Sequence, residues 1–519
     1  MIRQSQPERQ WVNTQLNRLS VPSFFFILSW RLLNALTINT FFQADEYWQA
    51  LEPAHNAVFK YGYLTWEWKL GLRSYLHPLI YMLPYSIVKY LDLGYEWVIV
   101  TPKLINALIA AIGEYYLYYY ISEKFKDKNL GKLVTYFSLL STWNWYCWCR
   151  SFANSLELSF SIVALYYLEI DKLINCLTIA AVTCLIRPTN AILWLFYLPN
   201  RFIKNPKYLI LALFIGIFML LIDGFINYIF YGTIKLPLLN FFKFNVSDSL
   251  SSFYGVSRID FYFFQAIPIL LLNYLPFFIY GIIKTSWTDF KSLLVIYLFL
   301  FTLIPHKEFR FIYPLMPILL TYSSIGFLEI SAKVSSKLMK LITLITILLS
   351  IIISFYFTQY HEVGEVRLPM IIHNKVLEDS KLHPSIGFLT PCHSTPFQSH
   401  LHLPESQANI WFLTCEPPLN SNIADYMDES DYFYKDPLIF LKLNFPQTIN
   451  PEIKQLDNVQ WPHEWPDYIV MFEILLEDGN IREYIGQNYE IIESLWNTPA
   501  HWDSRRNGNL LLLRYIYNS

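Results

Sequence analysis

Apolar residues in this chain arrive in repeated runs of about 17 to 25, the length that crosses a bilayer as helix, and this spacing restricts the fold most. Inside hydrocarbon each backbone N–H and C=O must be satisfied within its own segment, so such runs become helices. Composition agrees, with 54% hydrophobic and only 15% charged residues, where soluble domains carry roughly 25% charged. The chain reads as a polytopic α-helical membrane protein. A net charge of -2 excludes a general nucleic-acid binder, which needs a basic field to displace counterions from phosphates.

The runs fall at 22–40, 98–121, 133–149, 152–170, 173–186, 191–198, 208–231, 263–283, 293–304, 312–330 and 341–357. They give about eleven spans, or nine to thirteen allowing for the short ones around 173–200. Residues 1–20 hold Arg3, Arg9 and Arg18 and no cleavage site follows the first run, so 1–20 is read as a cytosolic N-terminus before a signal anchor. Lysine clusters at Lys124 to Lys132, at Lys204 and Lys207, and at Lys333 to Lys340 mark cytosolic loops on alternate turns. That parity puts loop 41–95, Arg150, Arg187, residues 232–262 and His306 to Arg310 on the opposite, lumenal face. Segment 76–91, interrupted by Pro78, Pro84 and Lys89, is taken as interfacial. The transmembrane domain then covers 21–358. Residues 359–519 lose the long apolar runs, gain Pro, His and acids, and predict a lumenal α+β domain with strands near 467–475 and 510–517.

The first lumenal loop carries the densest chemistry. Asp45 and Glu46 stand side by side where the first run emerges, and carboxylates beside lipid are costly enough to suggest function. Tyr47, Leu51, Ala54 and Val58 share one helical face while Asp45, Gln49, Glu52 and Asn56 share another, which predicts an amphipathic helix on the membrane with its acids toward water. Pro53 should kink it. The aromatics of YGYLTWEW, residues 61–68, suit an interfacial belt or sugar stacking, with Trp66 and Glu67 candidate substrate contacts beside Gln49 and Arg150. His306, Lys307, Glu308 and Arg310 form a basic cluster suited to phosphate, with Arg187 a further cation. Cys392 and Cys415 are the two cysteines outside apolar runs, and a disulfide or two free thiols both fit. His393, His400 and His402 lack metal-ligand spacing, so no metal is assigned. Asn245 opens the sequon Asn245-Val246-Ser247 on the lumenal side.

ADEYWQALEPAHNAVFKYGYLTWEW followed by LRSYLHP resembles the first lumenal loop of the dolichol-phosphate-mannose-dependent mannosyltransferases of the endoplasmic reticulum. These form glycosyltransferase family 22 of the GT-C superfamily. HKEFRFIYP is similar to that family's HKE-x-RF motif, and RSFANSLE, RPTNA and NFFKFNV extend the likeness. Ala44 stands where the family has Pro, and residues 257–262 replace a His/Trp-rich stretch. Within the family, YGYLTWEW, PCHSTPFQSHLH and DESDYFYKDP are most similar to members that add the third, α-1,2-linked mannose to the GPI precursor. The resemblance implies a GT-C fold, inverting transfer from dolichyl phosphate mannose, Asp45 as base with Glu46 in support, and no cofactor. It implies donor-phosphate binding by His306, Lys307, Glu308, Arg310 and Arg187. The alternatives are another family 22 enzyme, acting on the N-glycan lipid precursor or adding the fourth GPI mannose, and a lipid or solute transporter.

Overall fold

In the computed structural model, residues 16–17, 19–244, 253, 255–379, 381–418, 426–453 and 461–517 are described. Arg3, Arg9, Arg18 and the Asn245 sequon lie outside them. Each apolar run coincides with helix: Phe24–Thr37, Tyr95–Phe125, Lys128–Leu140 with Thr142–Cys147, Ala153–Glu169, Leu173–Ile186, Ala191–Tyr197, Lys207–Tyr231, Tyr262–Lys284, Asp289–Leu303, Phe309–Ser331 and Ser336–Gln359. Among the described residues five helices are long and apolar enough to cross a membrane. The run at 133–149 is not one helix. Ser141 turns extended between its two parts and caps the second through the Asn144 N–H. Leu76–Tyr90 is a 15-residue helix with Pro84 inside it.

The chain forms two compact units. One comprises Met1–Thr37, Leu70–Pro84 and Val100–Phe355. Its helices approach closely where side chains vanish: a Cβ on Gly281 would lie 1.9 Å from the Tyr322 carbonyl oxygen, and one on Gly326 1.9 Å from that of Phe277. Backbones meet there only because both residues are glycine. The same unit buries an ion pair that the sequence reading did not single out. Arg31 Nε and Nη2 each donate to Glu114 at 2.7 Å, Nη1 donates to Asn34 Oδ1, and Ser138 Oγ donates to Glu114. Asn144 joins through the Ser138 hydroxyl and accepts from Tyr313. A charge buried this deeply persists because it is paired and hydrogen-bonded.

The other unit comprises Ile38–Lys69, Tyr85–Ile99 and Tyr356–Ser519, so the acid-bearing first loop packs with the C-terminal region. Its framework is a five-stranded sheet of β1 (Ser385–Phe388), β2 (Asn409–Phe412), β3 (Tyr468–Phe472), β4 (Tyr489–Thr498) and β5 (Gly508–Tyr515) in the order β2-β1-β3-β5-β4. β1 runs parallel to β2 and β3, whereas β5 is antiparallel to β3 and β4. Every residue of YIVMF in β3 is buried, the uninterrupted apolar pattern of a strand covered on both faces. Phe433, Phe440, Phe445 and Trp465 form one core with its Ile469 and Met471 and with Leu511 and Leu513 of β5.

Candidate functional site

Asp45 and Glu46 open the turn after Ala44, whose carbonyl accepts from the Tyr47 and Trp48 N–H groups. Adjacent helical residues diverge by about 100 degrees. Asp45 is half-buried and Glu46 buried. The next turn is π-helical over Tyr47–Leu51, and the Glu52 N–H reaches five residues back to Tyr47 O. Helical backbone continues through Leu51 and Glu52 into Glu52–Phe59, so Pro53 follows the π-turn directly, and the widened turn accommodates a residue that cannot donate.

The expected water-facing stripe is corrected by burial. Glu52 is 2% exposed, and its carboxylate accepts from the Phe397 N–H at 2.9 Å and the Ser399 N–H at 3.1 Å. Burial pushes this carboxyl up to about 7, against the pull of those hydrogen bonds. Sequence periodicity missed the contact because the covering segment lies more than 340 residues away. Trp48 completes the join: its indole N–H donates to Thr395 O, and its ring lies 4.2 Å from His393 and 5.6 Å from Phe397, stacked on the latter. His393 is pushed down to about 4 by burial, opposed by the charge of Asp45. The histidine-rich segment thus covers the loop that carries the acids. His402 lies there as well, its Nδ1 2.8 Å from His55 Nε2 and 2.9 Å from the Tyr61 hydroxyl.

Cys392 and Cys415 are joined by a disulfide, with Cα atoms 5.8 Å apart. Their sulfurs and His393 form a cluster that could suit a metal by distance alone, but bonded sulfurs offer no thiolate. Gln49 and Glu67 are brought together, with Gln49 Nε2 donating to Glu67 at 3.3 Å. The belt reading of the tryptophans is corrected too. Trp66 and Trp68 are 7% and 1% exposed, and the Trp68 N–H donates to Trp48 O, so both pack inside the unit rather than facing headgroups.

In the helical unit, Glu308 organises its motif. It accepts from Arg310 Nε at 2.6 Å and Nη2 at 2.9 Å, and its Oε1 lies 3.1 Å from His306 Nε2. Burial would raise the Glu308 carboxyl, but Arg310 and His306 outweigh it and hold it well below the ordinary range. Burial likewise opposes charge on His306, yet Glu308 raises it. Lys307 donates to the carbonyls of Ser257 and Pro305, and burial lowers it. Arg187, distant in sequence, joins the group across one ring: its guanidinium lies 5.7 Å from the centre of Phe311, and that of Arg310 lies 5.8 Å from it. The Arg187 Nε is 3.8 Å from Glu157, a buried acid that also accepts from Asn154 and Asn190. Arg150 is buried too, donating to Tyr146 O and lying over the Tyr146 ring.

Residues 23–402 match the Alg9-like mannosyltransferase family. The chain is 42% identical to a Debaryomyces hansenii protein named GPI mannosyltransferase 3, over 95% of this chain and 92% of that one. Proteins of the same name from Candida albicans and Saccharomyces cerevisiae are 42% and 31% identical, over 94% and 96% of this chain and 97% and 96% of theirs. Among solved structures, ArnT from Cupriavidus metallidurans bound to undecaprenyl phosphate is similar at a TM-score of 0.56 and 11% identity, covering 95% of this chain and 97% of that one. This likeness places the fold among those of ArnT type.

Proposed function

The chain belongs to the Alg9-like mannosyltransferase family, and from that premise we propose that it adds the third, α-1,2-linked mannose to the GPI precursor, using dolichyl phosphate mannose. What carries the reading is full-length similarity to proteins named GPI mannosyltransferase 3. Its C-terminal PCHSTPFQSHLH segment, packed on the acid-bearing first loop, supports it. The protein works in the endoplasmic reticulum membrane, crossing it about eleven times with the first loop and C-terminal unit in the lumen.

Asp45 accepts the proton of the acceptor hydroxyl as its oxygen attacks the mannose anomeric carbon, with Glu46 in support. The bond from that carbon to the phosphate oxygen breaks, and dolichyl phosphate departs with the electron pair. Charge gathers on the phosphate as the bond breaks, so fixed cations there favour the transition state over the bound donor. His306, Lys307, Arg310 and Arg187 supply them, and Glu308 orients His306 and Arg310. Gln49, Trp66, Glu67 and Arg150 serve the substrates. In cells depleted of the protein, the glycolipid that accumulates should carry two mannoses. Accumulation of a precursor with more or fewer would overturn the assignment.

A further inference from the structure

Tyr313 stands near the end of HKEFRFIYP, is fully buried, and donates its hydroxyl to Asn144 Oδ1 at 3.1 Å. The scheme above gives it no task. It lies in Phe309–Leu315, seven residues of 3₁₀-helix with Pro314 inside. Such a run holds itself poorly: 3₁₀ hydrogen bonds have strained geometry, runs beyond about three or four residues are uncommon, and proline removes a donor. At about three residues per turn, Tyr313 stands on the same face as Arg310, one turn further on. Fixing one fixes the turn that presents the other.

The far end of that hydrogen bond is anchored by charge. Glu114, held by Arg31 through two bonds of 2.7 Å, is acceptor-only as a carboxylate. The Ser138 hydroxyl must donate to it, at 2.7 Å, which leaves the Ser138 oxygen to accept from Asn144 Nδ2 at 2.9 Å. With its amino group so committed, Asn144 turns its carbonyl oxygen to Tyr313, which can only donate. All five side chains are buried, and a buried chain satisfied at every step specifies one arrangement. A longer bond, from Tyr297 Oη to Phe311 O at 3.4 Å, also reaches the segment, whereas Glu308 and Arg310 bind each other.

We infer that Tyr313 is a positioning residue: tied through Asn144 and Ser138 to the Arg31–Glu114 pair, its hydroxyl holds Arg310 where the phosphate of the lipid donor binds. This rests on the proposed function for the role of Arg310. Tyr313 acts through that guanidinium, not on the phosphate.

A double-mutant cycle on binding of short-chain dolichyl phosphate to the purified full-length protein tests this. Tyr313→Phe keeps the ring, which packs edge-on to Trp143 with centres 6.2 Å apart, and removes the hydroxyl. Expected are about tenfold weaker binding by the folded variant and no further loss when Tyr313→Phe is added to Arg310→Ala. A hydroxyl that only stabilises the fold would lower the unfolding midpoint and leave the affinity of folded protein unchanged, a result that would overturn the inference. Equal losses in both backgrounds would overturn it too, because Tyr313 would then act independently of Arg310. If Tyr313→Phe does not fold, Ser138→Ala, which frees the Asn144 amide to turn, should show the same loss and the same dependence on Arg310. Unchanged affinity in that variant would sink the inference. Binding weakened by Arg310→Ala but not by Tyr313→Phe leaves the proposed function standing and removes Tyr313 from it. A wild type that binds dolichyl phosphate but transfers no mannose overturns the proposed function and leaves the role of Tyr313 in place.

Discussion

Glu52 is buried and Glu308 half-buried, one in each unit, and their carboxyls shift in opposite directions. Glu52 is held by backbone N–H groups of Phe397 and Ser399 and rises to about 7. Glu308 is held by Arg310 and His306 and falls well below the ordinary range. Burial disfavours charge at both, and the difference is whether full positive charges offset it. Peptide dipoles fasten a segment in place, while guanidinium and imidazole keep an acid ionised. Glu52 therefore works as a clasp and Glu308 as a counterion that aims cations.

That contrast breaks or sharpens under substitution. The largest effect is expected at Asp45, the carboxylate assigned chemistry rather than fastening. Asp45→Asn should lower mannose transfer about 10²–10⁴-fold, with the thermal unfolding midpoint nearly unchanged. Transfer that survives would remove Asp45 as base. Arg310→Ala takes the counter-charge from Glu308 and should lower transfer about 10²–10³-fold. It should also destabilise the protein by about 1–3 kcal/mol, because the half-buried Glu308 keeps only His306 as its partner. Activity lost only in proportion to folded protein would make Glu308 a clasp like Glu52.

Replacing Cys392 and Cys415 by Ser together should cost about 2–4 kcal/mol, read from the unfolding midpoint of the purified protein. No change would show that Glu52 and Trp48 hold the segment unaided. Glu52→Gln should have the smallest effect, about 1 kcal/mol. Its signature is pH dependence. With a folded value raised to about 7 above an unfolded value near 4.3, the Glu52 contribution is complete below about pH 4.3. It is lost as pH rises through about 7. The wild type should therefore lose stability over that window more steeply than Glu52→Gln, and parallel profiles would refute the clasp.

Helix positions were legible because hydropathy in a bilayer acts locally, and each apolar run became helix. The break at Ser141 was not, since a single capping hydroxyl leaves hydropathy unchanged. Asp45, Glu46 and the HKEFR motif stood out through charge at the ends of runs. Glu52 was assigned to the wrong environment because periodicity reports a face without naming what covers it. Trp66 and Trp68 failed likewise, since interface and core attract the same residue. Arg31 and Glu114 were visible as isolated charges in apolar runs, and their pairing could have been read from the cost of leaving either alone. Arg187 was grouped with the HKEFR cations by its place at the end of a run on the same face, whereas the Phe311 ring between it and Arg310 had no signal in one sequence.

The union of the first loop with the C-terminal region also sets a clock on synthesis. The amides that receive Glu52 lie 345 and 347 residues further along. At about 5–20 residues per second the ribosome needs roughly 20–70 s to deliver them. Until then Trp48, Tyr47 and Ala54 have no cover from the segment that later encloses them. The nascent loop stays uncovered over that interval, and a ribosome stalled anywhere before residue 397 leaves it unsealed.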